Sequence, residues 1–71
     1  MIKVGAFVGM MQQGGNLVKV VECLTEKVLY SGKDSFLYKN YKVTDMEVVS
    51  FRAEGDYLVI NVPYIRESEA D

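Results

Sequence analysis

Val49-Ser-Phe-Arg-Ala-Glu-Gly-Asp-Tyr-Leu-Val-Ile-Asn-Val62 decides how this chain folds. Two runs of strand-forming residues flank Gly55-Asp56, and glycine at the first central position suits a two-residue type II′ turn. A loop of that length sets the register. It predicts Ala53 opposite Leu58, Phe51 opposite Ile60 and Val49 opposite Val62. All six are apolar and share one side of the pleat, because side chains alternate with period two. The other side takes Ser50 with Asn61, Arg52 with Val59 and Glu54 with Tyr57. A slip of one residue would pair Phe51 with Val59 and Val49 with Asn61, mixing the faces. The stretch therefore predicts one buried face, one wet face and an antiparallel sheet, with Phe51, Leu58 and Ile60 in the core.

Just upstream the pattern changes phase. Met46 and Val48 occupy the opposite parity to Val49 and Phe51. A bulge or bend near Val48 reconciles the two and keeps Asp45 and Glu47 out of the interior.

Toward the N-terminus, Val4, Phe7, Val8 and Met11 follow the spacing of one helix face. Ile2, Val4, Ala6, Val8 and Met10 fit a strand equally well, and Gly5 and Gly9 each weaken a helix by roughly 1 kcal/mol relative to Ala. Gln12-Gln13-Gly14-Gly15-Asn16 reads as a helix C-terminus with glycine available for the left-handed position, which favours the helix. Leu17 to Cys23 reads as a strand with Val18 and Val20 on one face. Leu24-Thr25-Glu26 turns the chain, and Lys27 to Ser31 returns with Val28 and Tyr30 on the face of Val18 and Val20. Gly32 ends that strand. Asp34 or Ser35 then caps a short helical turn through Phe36, Leu37 and Tyr38, with Asn40 as its stop. The expected fold is α+β: a short N-terminal helix followed by a mostly antiparallel four-stranded sheet made of two β-hairpins. Residues 1–66 form a single small α+β domain and residues 67–71 an acidic, frayed tail.

Seventy-one residues make one domain, and a chain of this size buries only about 60% of its unfolded surface. The apolar fraction of 49% and charged fraction of 25% are those of a folded chain. No apolar run approaches the ~20 residues of a membrane span. The N-terminal apolar run lacks a convincing small-residue cleavage site, so a cytoplasmic location is expected. The single cysteine, Cys23, excludes an intramolecular disulfide framework. A formal net charge of -2 argues against general affinity for nucleic acid. Charge is nonetheless uneven: Lys27, Lys33, Lys39 and Lys42 make the middle basic, while Asp45, Glu47, Glu54 and Asp56 make the final hairpin acidic.

The element order resembles that of the uncharacterised small α+β proteins carried by phages and mobile elements of Gram-positive bacteria. The matching positions are Val4 to Met11, Val18-Lys-Val20, Leu29-Tyr-Ser-Gly32, Leu37, Val43-Thr-Asp-Met46 and Leu58-Val-Ile-Asn-Val62. They cover most of the chain and are all structural. The resemblance implies a habitat and not an active site.

The chain has no histidine, which removes the commonest general base, the Ser-His and Cys-His pairs and the commonest transition-metal ligand. Cys23 has no imidazole to activate it and reads as a small apolar residue at a strand end. Asp45/Glu47 and Glu54/Asp56 are paired carboxylates, but no calcium-loop spacing surrounds them, and Glu54-Gly55-Asp56 is adequately explained as turn chemistry. Gly14-Gly15 lacks the lysine and hydroxyl of a phosphate loop. Gly5-xxx-Gly9 permits a close approach, either inside the domain or at a dimer seam. No catalytic residue, metal ligand or cofactor site is expected, and no enzymatic activity.

Lys33, Phe36, Tyr38, Lys39, Tyr41 and Lys42 remain as partner-binding candidates. Aromatics interleaved with lysines suit a protein-binding hot spot, where tyrosine is enriched, or stacking on bases beside neutralised phosphates. The plainer reading has the aromatics capping the core and the lysines keeping the connector solvated. The expected function is a non-enzymatic small binding module acting stoichiometrically on a protein partner. The resemblance implies that this partner belongs to a host defence system. Alternatives are an oligomeric small-ligand binder that sequesters a nucleotide, and a purely structural homo-oligomer joined through its sheet edges.

Overall fold

The computed structural model describes residues 2–11 and 15–64. Its elements in chain order are α1 (Val4–Gly9), β1 (Leu17–Glu22), β2 (Val28–Lys33), α2 (Asp34–Leu37), α3 (Tyr41–Thr44), β3 (Ser50–Glu54) and β4 (Tyr57–Val62). The fold is small and α+β, with a short N-terminal helix and one four-stranded sheet in the order β2-β1-β4-β3. β1 pairs antiparallel with β2 and β4 antiparallel with β3, but β1 and β4 run parallel. The sheet is thus mixed. Parallel neighbours need a long crossover, and the segment through β2, α2, α3 and β3 supplies it. Both central strands bury valines at both parities: Val18, Val20 and Val21 in β1, Val59 and Val62 beside Ile60 in β4.

From Ser50 opposite Asn61 to Glu54 opposite Tyr57, the β3–β4 pairs follow the register set by the turn. Gly55 has φ +60 and Asp56 does not share the positive value, which fits type II′. The assignment of faces needs correction. β3 lies at the sheet edge and is exposed throughout. Phe51 is 58% exposed and meets the domain through the Phe7 ring, 4.9 Å away between centroids. It is not a core residue, and Ala53 is exposed as well. Ile60 is fully buried and Leu58 packs partly buried against the core. Val59, expected on the wet side, is only 1% exposed. Its lateral neighbours are Lys19 and Arg52, whose aliphatic stems can shield it.

Val49 does not face Val62. Its N–H donates to the Asn61 carbonyl at 2.8 Å, although the Cα partner of Asn61 is Ser50. Two consecutive residues facing one is the geometry of a β-bulge, and Val49 is left exposed. Before it, the Val48 N–H donates to the Ile2 carbonyl at 2.9 Å, and Lys3 bridges to Glu47. Met46 and Val48 pack on the core, while Asp45 and Glu47 stay exposed.

The β1–β2 connection runs from Cys23 to Lys27, longer than the three residues expected. The Thr25 hydroxyl donates to the Glu22 carboxylate at 2.6 Å and its oxygen accepts from the Lys27 N–H at 3.2 Å, which holds the longer turn. Val20 pairs with Tyr30 but Val21 with Val28, so Leu29 is an extra residue on β2. That shift takes Val28 off the face of Val18 and Val20, and β2 continues through Gly32 to Lys33.

The core cluster is Val4, Val8, Val18, Val20, Leu37, Val43, Ile60 and Val62. Gly5 and Gly9 serve internal packing. A Cβ on Gly5 would lie 3.2 Å from the Thr44 Cβ, and one on Gly9 would lie 3.3 Å from the Tyr38 hydroxyl. Asn40, expected as a stop, also opens a helix: its side chain accepts from the Val43 N–H at 3.4 Å and caps α3. Residues 12–14, the end of the domain at 66 and the tail 67–71 lie outside the described residues.

Candidate functional site

The connector between β2 and β3 is built on two buried anchors, Leu37 in α2 and Val43 in α3. One-turn helices joined at Asn40 cannot turn every large side chain inward. Phe36, Tyr38 and Tyr41 are left 57%, 45% and 80% exposed, and Lys33, Lys39 and Lys42 are exposed beside them.

Asp34 fixes the base of the connector. Its carboxylate accepts from the Gly15 N–H at 3.1 Å and the Asn16 side-chain amide at 3.2 Å, while its own N–H donates to the Asn16 carbonyl at 2.9 Å. Burial pushes this carboxyl upward, but the donors from Asn16, Gly15 and Ser35 outweigh it and hold it below the ordinary carboxylate range. Tyr30 donates its hydroxyl to the Lys33 carbonyl at the start of α2. Burial, and next the Asp34 charge, raise that phenol above its ordinary value.

The six sequence candidates do not act alike. The Lys39 ammonium sits 5.3 Å from the Phe36 ring centroid, so these two form a cation–π pair. Tyr38 turns back to α1, where its hydroxyl donates to the Gly5 carbonyl at 3.4 Å. The Tyr41 and Lys42 side chains make no hydrogen bond or ion pair among the described residues; only the Tyr41 backbone carbonyl serves, accepting from the Thr44 hydroxyl at 3.3 Å and from the Asp45 N–H at 3.1 Å.

Cys23 is exposed in the β1–β2 turn and is not the apolar strand end expected of it. Glu54 pairs with Arg52 at 3.2 Å, and Asp45 with Lys3 at 2.8 Å. The hydrogen bond to Asp45, with its charge next, raises the Lys3 ammonium. Among the described residues no group of three or more His, Cys, Asp or Glu is placed to hold a metal ion, and no helix is long and apolar enough to cross a membrane.

One feature was not legible in advance. An open depression of about 540 Å³ on the sheet face away from the helices is lined by Val21, Cys23, Glu26, Ser50, Arg52, Glu54 and Asn61. The Asn61 amide donates to the Ser50 hydroxyl at 3.1 Å across it. Alternation placed Ser50, Arg52, Glu54 and Asn61 on one face, but Val21, Cys23 and Glu26 join them only through the parallel pairing of Val21 with Asn61.

Comparison with protein-family models, curated proteins and solved structures finds no match to this chain.

Proposed function

We propose that this protein is a non-enzymatic binding module that engages a protein partner through the α2–α3 connector. The observation that carries the proposal is the exposure of Tyr41. A tyrosine 80% exposed, with no hydrogen bond or ring partner for its side chain among the described residues, contributes little to the fold. Phe36 and Tyr38 are also exposed along the same connector, and exposed Lys33, Lys39 and Lys42 make it positive and would form the rim of such a surface. Aromatic anchors inside a charged rim are the anatomy of a protein interface. The complementary surface is an apolar pocket bordered by carboxylates. The resemblance to small proteins of phages and mobile elements supports a partner from a host defence system, which the module would inhibit by occupying it.

Affinity capture from a lysate of the native host tests this, with Tyr41→Ala and Lys39→Glu as matched baits. The expected result is one stoichiometric partner retained by the wild-type chain and lost with either variant. Equal retention by all three baits, or turnover of a peptide or nucleotide by the purified protein, would sink the proposal.

A further inference from the structure

We propose that a second copy of this chain pairs with it along the open edge of β3, antiparallel, with Arg52 opposite Glu54 of the other copy. The two sheet edges differ. β2 is interrupted by the extra residue at Leu29 and by Gly32 at φ +150. β3 is a regular five-residue ladder, exposed at every position. An open, regular edge is a template for pairing with another strand.

The hairpin geometry says which backbone groups are free. A two-residue loop is closed by a hydrogen-bonded pair, so Glu54, Arg52 and Ser50 direct their N–H and C=O groups at β4. Those of Phe51 and Ala53 point outward. A two-fold partner must bond to these two residues, which leaves few registers. Ala53 opposite Phe51 of the other copy places the two Arg52 side chains face to face, and like charges directly opposite are destabilising. Ala53 opposite Ala53 instead sets Arg52 against Glu54 twice. With the Arg52–Glu54 pair already inside each strand at 3.2 Å, the four charges alternate in sign around a square. On the other face, small Ala53 side chains meet at the axis, and Phe51 is set beside the Gly55 turn of the second copy, covering an aromatic that the monomer leaves exposed. Phe51 opposite Phe51 would set Ala53 against Val49, whose N–H is already given to the Asn61 carbonyl, so charge and backbone together favour the Ala53 register.

One short strand buries less than the ~1,200 Å² of a stable interface, so association belongs in the micromolar range. Because α2 packs against β2 at the opposite edge, pairing through β3 leaves α2 uncovered in both copies. The two β2 strands then form the ends of an eight-stranded sheet, about 34 Å apart by strand spacing.

Sedimentation velocity across the micromolar range tests the pairing. The wild-type chain should show a concentration-dependent dimer. Arg52→Glu and Glu54→Arg should each weaken it about tenfold or more, and mixing the two variants should restore it, since each then supplies the charge the other needs. Ala53→Cys in a Cys23→Ser background should oxidise to a covalent dimer, because residues directly opposite in a hydrogen-bonded pair lie about 5.5 Å apart between Cα atoms. A monomer at every concentration overturns the proposal. So does a dimer indifferent to both charge reversals, a mixture no stronger than its components, or the absence of the Ala53→Cys cross-link.

Discussion

Gly5→Ala and Gly9→Ala are the same substitution on the same helix, four residues apart, and only the first should lose stability. In a helix interior Ala is favoured over Gly by about 1 kcal/mol. That gain is available to Gly5, but its new methyl would meet the Thr44 Cβ at 3.2 Å and the Thr44 carbonyl at 3.3 Å. Carbon atoms prefer about 3.5–4.0 Å, so α1 and α3 must separate by a few tenths of an ångström. α1 cannot retreat freely, because Val4 and Val8 are buried beneath it and the Val4 N–H donates to the Met46 carbonyl at 2.8 Å. α3 is held by buried Val43. Overpacking of this kind costs about 1–3 kcal/mol, so Gly5→Ala should lose about 1 kcal/mol net. At Gly9 the nearest atom is the Tyr38 hydroxyl at 3.3 Å, the far end of a side chain that can swing away. Gly9→Ala should be neutral or gain a few tenths of a kcal/mol. Urea denaturation reads this directly: with a slope near 1 kcal/mol/M for so small a domain, the two midpoints should differ by about 1 M. Equal midpoints, or a Gly5→Ala variant more stable than the wild-type chain, would refute the packing argument.

Leu37→Ala removes a fully buried side chain that anchors the connector; it should cost about 2–5 kcal/mol, a large share of the total for a domain of this size, and lower the thermal midpoint by about 8 °C or more, at about 4–8 °C per kcal/mol. Asp34 is held below the ordinary carboxylate range, so its contribution is fully present above the unfolded value near 3.9 and is lost as pH falls through the lower folded value; Asp34→Asn should flatten the acid limb of a stability–pH profile, and an unchanged limb would count against the Gly15–Asn16 clamp. Glu26 sits at φ +59 in the β1–β2 turn without being glycine, so Glu26→Gly should stabilise by up to about 1 kcal/mol in the same urea assay. Tyr41→Ala should leave stability within about 0.5 kcal/mol while removing partner retention, measured on one protein preparation.

The β3–β4 register was legible because glycine at one turn position and a two-residue loop leave little else possible. The phase break at Val48 was legible for the same local reason, and a bulge takes it up. What local pattern could not supply is the lateral order of strands. Phe51 reads as core from its alternation with Ala53, yet an edge strand has only one neighbour, and α1 reaches it with a single ring. Val59 reads as wet from its place opposite Arg52, yet a central strand is flanked on both sides. The signal was present in β4 and β1, which carry valine at both parities where a half-exposed strand would alternate. The parallel pairing that joins them depends on a crossover more than thirty residues long, and no periodicity records it. At the candidate site, composition brought six residues together; the structure assigns Tyr38 a structural share and leaves Tyr41 with none.

That difference determines which residue can speak for function. Tyr38 is 45% exposed, but its hydroxyl reaches the Gly5 carbonyl and lies against Gly9, so it ties the connector to α1. Removing it loosens the helix pair as well as the surface, and lost binding would have two causes. Tyr38→Phe separates them: it keeps the ring and deletes only a 3.4 Å hydrogen bond, at a cost of about 1 kcal/mol or less. If the apolar surface carries recognition, Tyr38→Phe should bind as the wild-type chain does while Tyr41→Ala does not, although the second is the milder change to the fold. If binding instead tracked thermal midpoint across Tyr38→Phe, Tyr41→Ala and Gly5→Ala, the connector would matter only as part of the folded domain, and the proposed interface would have to lie elsewhere.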